Sequence, residues 1–204
     1  MGFGLIFIGY INFLFFKILP PIMALGAYLS YRGLKKLSIY GKSFDICAKI
    51  SGAMCIYFIL YTSTWFLDAL NIAKAFFDSK IFSFVDSVLY YGLLLVFHIF
   101  LYASLESICK VCGYEKGIKK ANMARMFMFI TYAVTVAGLF LQTSIFGYVQ
   151  ILCTLVWFLY TAGYIYSCYM RIATDELIAE EEKKIAEYNA KYGYKLKSQK
   201  RQKK

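Results

Sequence analysis

The sequence predicts an all-α polytopic membrane helical bundle with a broken N-terminal hairpin, four full spans and a cytoplasmic C-terminal helix. Three observations carry that reading. The 204 residues are 60% hydrophobic and only 17% charged, against roughly 45–50% apolar and about 25% charged in an average soluble domain. The apolar residues fall in long runs, with the charges gathered between them. The connectors between the runs alternate between basic and neutral, as the positive-inside rule requires of a chain that crosses a bilayer repeatedly.

A helix needs about 20 apolar residues to cross the hydrocarbon. Four stretches qualify, at about 48–67, 83–107, 122–142 and 146–170. Arg32, Lys35, Lys36, Lys42 and Lys49, against Asp45, precede the first. Asp68, Lys74, Asp78, Lys80 and Asp86 then follow without cationic excess. Lys110, Lys116, Lys119, Lys120 and Arg125 oppose Glu115 in the third connector, and the fourth, around QTSIFG, is uncharged. A Lys-rich tail follows Met170. This pattern places 32–47, 109–121 and 171–204 in the cytoplasm.

The N-terminal run is interrupted by FFKILPP at 15–21. One straight helix from Gly4 to Tyr31 would be about 40 Å long against a hydrocarbon core of roughly 30 Å. Lys17 would then lie near its centre, at a cost on the order of 3 kcal/mol. Pro20 and Pro21 each lack an N–H and disfavour helix in the preceding residue. The penalties coincide, so the helix is expected to end there, with Lys17 reaching for headgroups and proline opening the next helix. Segments 3–17 and 21–36 become two short arms with both ends cytoplasmic. The rival is one kinked span with an outside N-terminus, and the peptide offers no early Lys or Arg to decide by charge. For the same reason, and for want of a small-residue cleavage site, no cleavable signal peptide is expected.

The formal net charge is +11. Because the excess lies between and after the apolar runs, the expected partner is the lipid bilayer, with anionic headgroups at the cytoplasmic face, and no nucleic acid. Residues 1–171 form the transmembrane domain and 172–204 a cytoplasmic helix with a basic end. Thr174 is a fitting N-cap, Asp175 and Glu176 suit the positive helix end, and Glu180–Lys184 and Glu187–Lys191 are i,i+4 pairs. Glu181 interrupts the thin stripe of Ile178, Ile185, Tyr188 and Tyr192, which argues against a coiled coil.

Polar residues recur at helical spacing inside the spans: Tyr57, Tyr61 and Thr64; Thr131, Thr135, Gly138 and Gln142; and Gln150, Thr154, Trp157, Thr161, Tyr164 and Cys168. Small and hydroxyl residues allow membrane helices to approach and bond across the interface, so packing or oligomer contact explains these stripes more economically than a transport path. The only histidine, His98, shares a face with Tyr91, Tyr102 and Glu106. Ionisable groups at membrane depth are functional candidates, which makes Lys17, Asp68, His98, Tyr102 and Glu106 a candidate intramembrane polar site. The plainer reading is a neutral His98 bonded to a hydroxyl on a neighbouring helix.

Of six cysteines, Cys109 and Cys112 form a C-x-x-C at the cytoplasmic mouth of 83–107. This candidate dithiol lacks the second pair of a four-thiolate zinc site and the βαβ setting of a redox motif. The other cysteines read as small buried hydrophobes. No catalytic residue, cofactor or metal site is expected, and the chain carries no G-x-S-x-G, H-E-x-x-H, phosphate loop or dinucleotide fingerprint. Two functional classes remain. The first is a non-catalytic membrane subunit, scaffold or regulator with a membrane-protein partner or a second copy of itself. The alternative is a small transporter or channel subunit using the broken hairpin, because interrupted helices line transporter sites; no inverted repeat supports it. A membrane enzyme using His98, Glu106 or the cysteine pair comes third.

GFGLIFIGY at 2–10, GLKKLSIYGKSF at 33–44 and SCYMRI at 167–172 resemble a group of small uncharacterised polytopic membrane proteins from low-GC Gram-positive bacteria. The group carries no established activity. In the group an element like CYMRI is often followed by Cys-Pro and acidic residues, whereas here ATDELIAEEEKK follows. The resemblance implies the bacterial plasma membrane as location, and no palmitoylation of the juxtamembrane cysteines.

Overall fold

The computed structural model describes residues 2–15, 19–72, 79–141 and 145–172. Of these, 94% are helical and none is in a strand. Six helices follow one another: α1 (Gly2–Ile11), α2 (Pro20–Leu37), α3 (Lys42–Ala69), α4 (Lys80–Val111), α5 (Glu115–Leu141) and α6 (Ile145–Ile172). Short 3₁₀ turns, Asn12–Phe15 and Ser38–Tyr40, extend α1 and α2. By their internal contacts, Met1–Cys168 and Tyr169–Lys204 form two compact units, and the site below lies wholly in the first. The expected tail helix and Lys17 both fall outside the described residues.

Among the described residues, α3, α4 and α6 are long and apolar enough to cross a bilayer. The fourth expected span, 122–142, lies on α5 up to Leu141, behind first turns that carry Glu115, Lys116, Lys119, Lys120 and Arg125. Helix ends differ from the apolar limits. The basic stretch 32–47 is mostly helix rather than loop, because α2 runs to Leu37 and α3 starts at Lys42. Charge does not end a helix; the loss of satisfied backbone groups does.

Those ends have local causes. Pro20 and Pro21 occupy the first positions of α2 behind the non-helical Leu19, where a missing N–H costs nothing. The Ser79 hydroxyl accepts from Phe82 N–H at 3.2 Å and caps α4. Two helices close with the same turn, in which a left-handed residue lets two N–H groups fold back onto the last carbonyls. In α3 that residue is Asn71 (φ 57°), with Ile72 N–H on the Leu67 carbonyl and Asn71 N–H on that of Asp68. In α4 it is Gly113 (φ 65°), with Tyr114 N–H on Cys109 and Gly113 N–H on Lys110.

α1 and α2 run antiparallel with their backbones in contact. A Cβ built on Gly9 would sit 2.5 Å from the Gly26 carbonyl, one on Gly26 2.6 Å from that of Gly9, and one on Gly33 2.6 Å from that of Gly2. Only hydrogen fits at these positions. α2 then meets α3 through Ser51, whose hydroxyl donates to the Ala27 carbonyl at 2.9 Å. Phe13, Phe58 and Phe97 bring α1, α3 and α4 together at centroid distances of 5.9–6.1 Å.

Candidate functional site

The site is assembled on α4. Its face carries Tyr91, Leu94, His98, Tyr102 and, one turn on, Glu106, close to the repeat of an α-helix. His98 and Tyr102 are fully buried. His98 Nδ1 lies 2.7 Å from the Leu94 carbonyl of its own helix. A carbonyl only accepts, so Nδ1 carries the proton and donates it. Nε2 lies 2.7 Å from the Tyr10 hydroxyl on α1. In the neutral ring Nε2 accepts from that hydroxyl, and both polar atoms of the imidazole are then satisfied.

Rings enclose the imidazole. Trp157 lies 4.4 Å away, Phe97 5.4 Å, Phe158 5.5 Å, Tyr10 5.6 Å and Tyr102 5.7 Å, centroid to centroid. A second set of bonds runs beside it. Trp157 Nε1–H donates to the Tyr102 hydroxyl at 2.8 Å, which lies 2.6 Å from Thr161 Oγ1. The Thr161 hydroxyl is 2.9 Å from the Trp157 carbonyl. The α6 stripe expected from sequence thus faces α4, with Gln150 Nε2 donating to the Tyr91 hydroxyl at 3.1 Å nearer the start of α6.

Of the remaining expected site residues, Asp68 and Glu106 lie apart from His98, and Lys17 falls outside the described residues. Asp68, at the end of α3, is exposed and lines a cleft with Tyr61, Thr64, Trp65, Ser83 and Asp86 that His98 does not reach. Glu106 is an ion-pair hub: Lys110 Nζ lies 2.7 Å from one carboxylate oxygen and Arg125 of α5 pairs with the other. Its charge is spent on joining α4 to α5, not on His98. Cys109 is buried and Cys112 exposed. The thiol that meets Cys109 is Cys168 of α6, with sulfurs 3.7 Å apart.

Sequence reasoning missed four participants. Tyr10 gave no signal, since a tyrosine in an apolar run is unremarkable until a partner faces it. Asp86 was counted as a connector charge, yet it accepts from the Tyr57 hydroxyl at 2.5 Å. Arg125 was read as topology alone. Cys168 was on the α6 stripe but not paired with Cys109. No cluster of three or more His, Cys, Asp or Glu side chains suited to a metal occurs among the described residues. Comparison with protein-family models, with characterised proteins and with solved structures finds no match to this chain.

Proposed function

We propose that this chain is a multi-pass plasma-membrane protein and a non-catalytic subunit, scaffold or regulator that acts through helix packing. In this reading α3, α4, α5 and α6 are full spans, α1 and α2 are the arms of a hairpin that turns near Lys17, and the C-terminus is cytoplasmic. The resemblance to small polytopic membrane proteins of Gram-positive bacteria and the alternation of basic and neutral connectors support this placement. Anionic headgroups would meet Lys110, Lys116 and Lys119, and a membrane-protein partner or a second copy would meet the lipid-facing surface.

One observation carries the functional choice: the enclosure of His98 by five aromatic rings, with neutral partners on both nitrogens. A proton relay needs a chain of exchangeable groups leading to water; a packing histidine needs only its own bonds satisfied. The void beside Trp157, lined by Tyr91, Thr131, Tyr132 and Thr154, is about 30 Å³, room for one water. The transporter alternative draws on a wider groove of about 440 Å³ between α4, α5 and α6, lined by Tyr91, Tyr132, Thr135 and Gln150.

Proteoliposomes separate the two readings. The packing role predicts proton and monovalent-ion flux no faster than in protein-free vesicles. A flux that His98→Ala or Gln150→Ala abolishes would establish transport. For the hairpin, a cysteine placed ahead of Gly2 in a Cys112→Ser chain is expected to react only from the cytoplasmic side. Labelling from outside would establish the single kinked span.

A further inference from the structure

We propose that Cys109 and Cys168 are a reversible dithiol/disulfide pair that fastens the end of α4 to α6, with a small apolar disulfide as the class of oxidant. The inference stands independently of the functional reading above. Neither sulfur is accessible, and they lie 3.7 Å apart across two helices, 59 residues distant in sequence. A disulfide bond is about 2.05 Å long, so the sulfurs need to close by about 1.6 Å, within reach of side-chain rotation.

Cys47 and Cys55 behave differently. Cys47 points its thiol at the Phe97 carbonyl at 3.7 Å, and Cys55 at that of Ala24 at 3.6 Å. Each is spent on a backbone acceptor. Cys109 instead has sulfur and a hydroxyl for company, since Tyr164 Oη lies 3.9 Å away.

Cys109 is also held in place. Its carbonyl accepts from Tyr114 N–H at 2.8 Å in the turn that ends α4. A Cβ on Gly117 would come within 2.5 Å of its sulfur, so the start of α5 packs directly on the thiol. A thiol crowded by backbone and faced by a second thiol has that thiol as its nearest reaction partner. Both cysteines are buried, and an apolar disulfide enters such a setting where a hydrophilic one does not.

The chemistry balances by thiol–disulfide exchange. One cysteine thiolate attacks a sulfur of the incoming R–S–S–R, forming a mixed disulfide and expelling R–S⁻. The second cysteine thiolate attacks the protein sulfur of that mixed disulfide and expels the second R–S⁻. The two protons lost by the cysteines go to the two released thiolates. The protein gains one S–S bond, the oxidant becomes two R–SH, and excess dithiol reverses the sequence.

The test uses the full chain in detergent, with 4,4′-dithiodipyridine as oxidant and peptide mass spectrometry as readout. The expected product links the Cys109 and Cys168 peptides and carries no pyridyl group, while Cys112 holds a lasting pyridyl adduct. The link must persist in Cys112→Ser. In Cys168→Ser, Cys109 should keep its adduct instead of resolving it. The linked protein should melt at a higher temperature than the reduced one, and dithiothreitol should return it to the starting value. A Cys109–Cys112 link, separate lasting adducts on Cys109 and Cys168, or two unreacted thiols once Cys112 is fully modified would each overturn the proposal.

Discussion

Where α1 meets α2, the helices touch through glycine; where α4 meets α6, they touch through a tryptophan, a histidine and two tyrosines. Lipid supplies little hydrophobic drive between helices, so association rests on close packing and on bonds across the interface. The first contact uses close packing: backbones abut at Gly9 and Gly26, and Ser30, buried there, has no hydrogen-bond partner for its side chain among the described residues. The second places rings and bonded polar atoms between the helices. The two contacts should therefore fail in different ways. Added volume should break the first, and lost polar atoms should break the second.

The largest effect is expected at the glycines. Gly9→Val places carbon where the Gly26 carbonyl and the Ser30 backbone nitrogen already lie within 2.7 Å of a single Cβ. Neither is a flexible side-chain tip, so α1 must move away, at a cost of about 3 kcal/mol or more. Thermal unfolding in detergent should show a large loss, together with exposure of Tyr10 and Phe13. Near wild-type stability would mean that α1 is not seated on α2.

Next comes the polar contact. Tyr102→Phe removes the oxygen that serves both the Trp157 indole and the Thr161 hydroxyl, while leaving volume unchanged. A buried donor without a partner costs about 1–3 kcal/mol, and the smaller values found in membranes favour the lower end. Tyr10→Phe, which takes the hydroxyl away from His98 Nε2, should cost less than Tyr102→Phe in the same unfolding experiment. If Tyr10→Phe is the more damaging, the network has been assigned the wrong centre.

Glu106→Gln should have a smaller effect still. Lys110 is 61% exposed and Arg125 32%, so water takes over their solvation, and such pairs are worth about 0–1 kcal/mol. A loss above that range, measured by the same melt, would place Glu106 in a drier setting. At the far end of the scale, Gly163→Ala meets nothing within 4 Å and removes a helix-interior glycine. It should leave the fold intact and raise stability by up to about 1 kcal/mol. A destabilised Gly163→Ala would show that this face of α6 is covered.

How far the sequence could lead follows from the same contrast. The helix start at Pro20 was legible because proline acts on its own backbone, and the inward face of α6 was legible because its stripe repeats at helical spacing. The glycine contact was not, since Gly9, Gly26 and Gly33 sit in apolar runs and mean nothing until two backbones meet. The helix limits at Lys42 and Val111 lay beyond the apolar limits, because caps and turns such as Gly113 set them rather than hydropathy. The candidate polar site separated for a related reason. Asp68, His98, Tyr102 and Glu106 share polarity, but only contacts between helices decide which polar groups meet, and of these only Tyr102 packs against His98. His98 found Tyr10, Glu106 found Arg125, and Asp68 faces its own cleft.

Because His98 is the only histidine, its reaction with diethyl pyrocarbonate reads its surroundings without ambiguity. The full chain in detergent is treated at neutral pH, and the His98 peptide is followed by mass spectrometry. Enclosure by rings predicts that His98 stays unmodified in the folded protein and reacts once the chain is unfolded. Modification of the folded protein at the rate of free imidazole would contradict the packing role and return His98 to a water-accessible path.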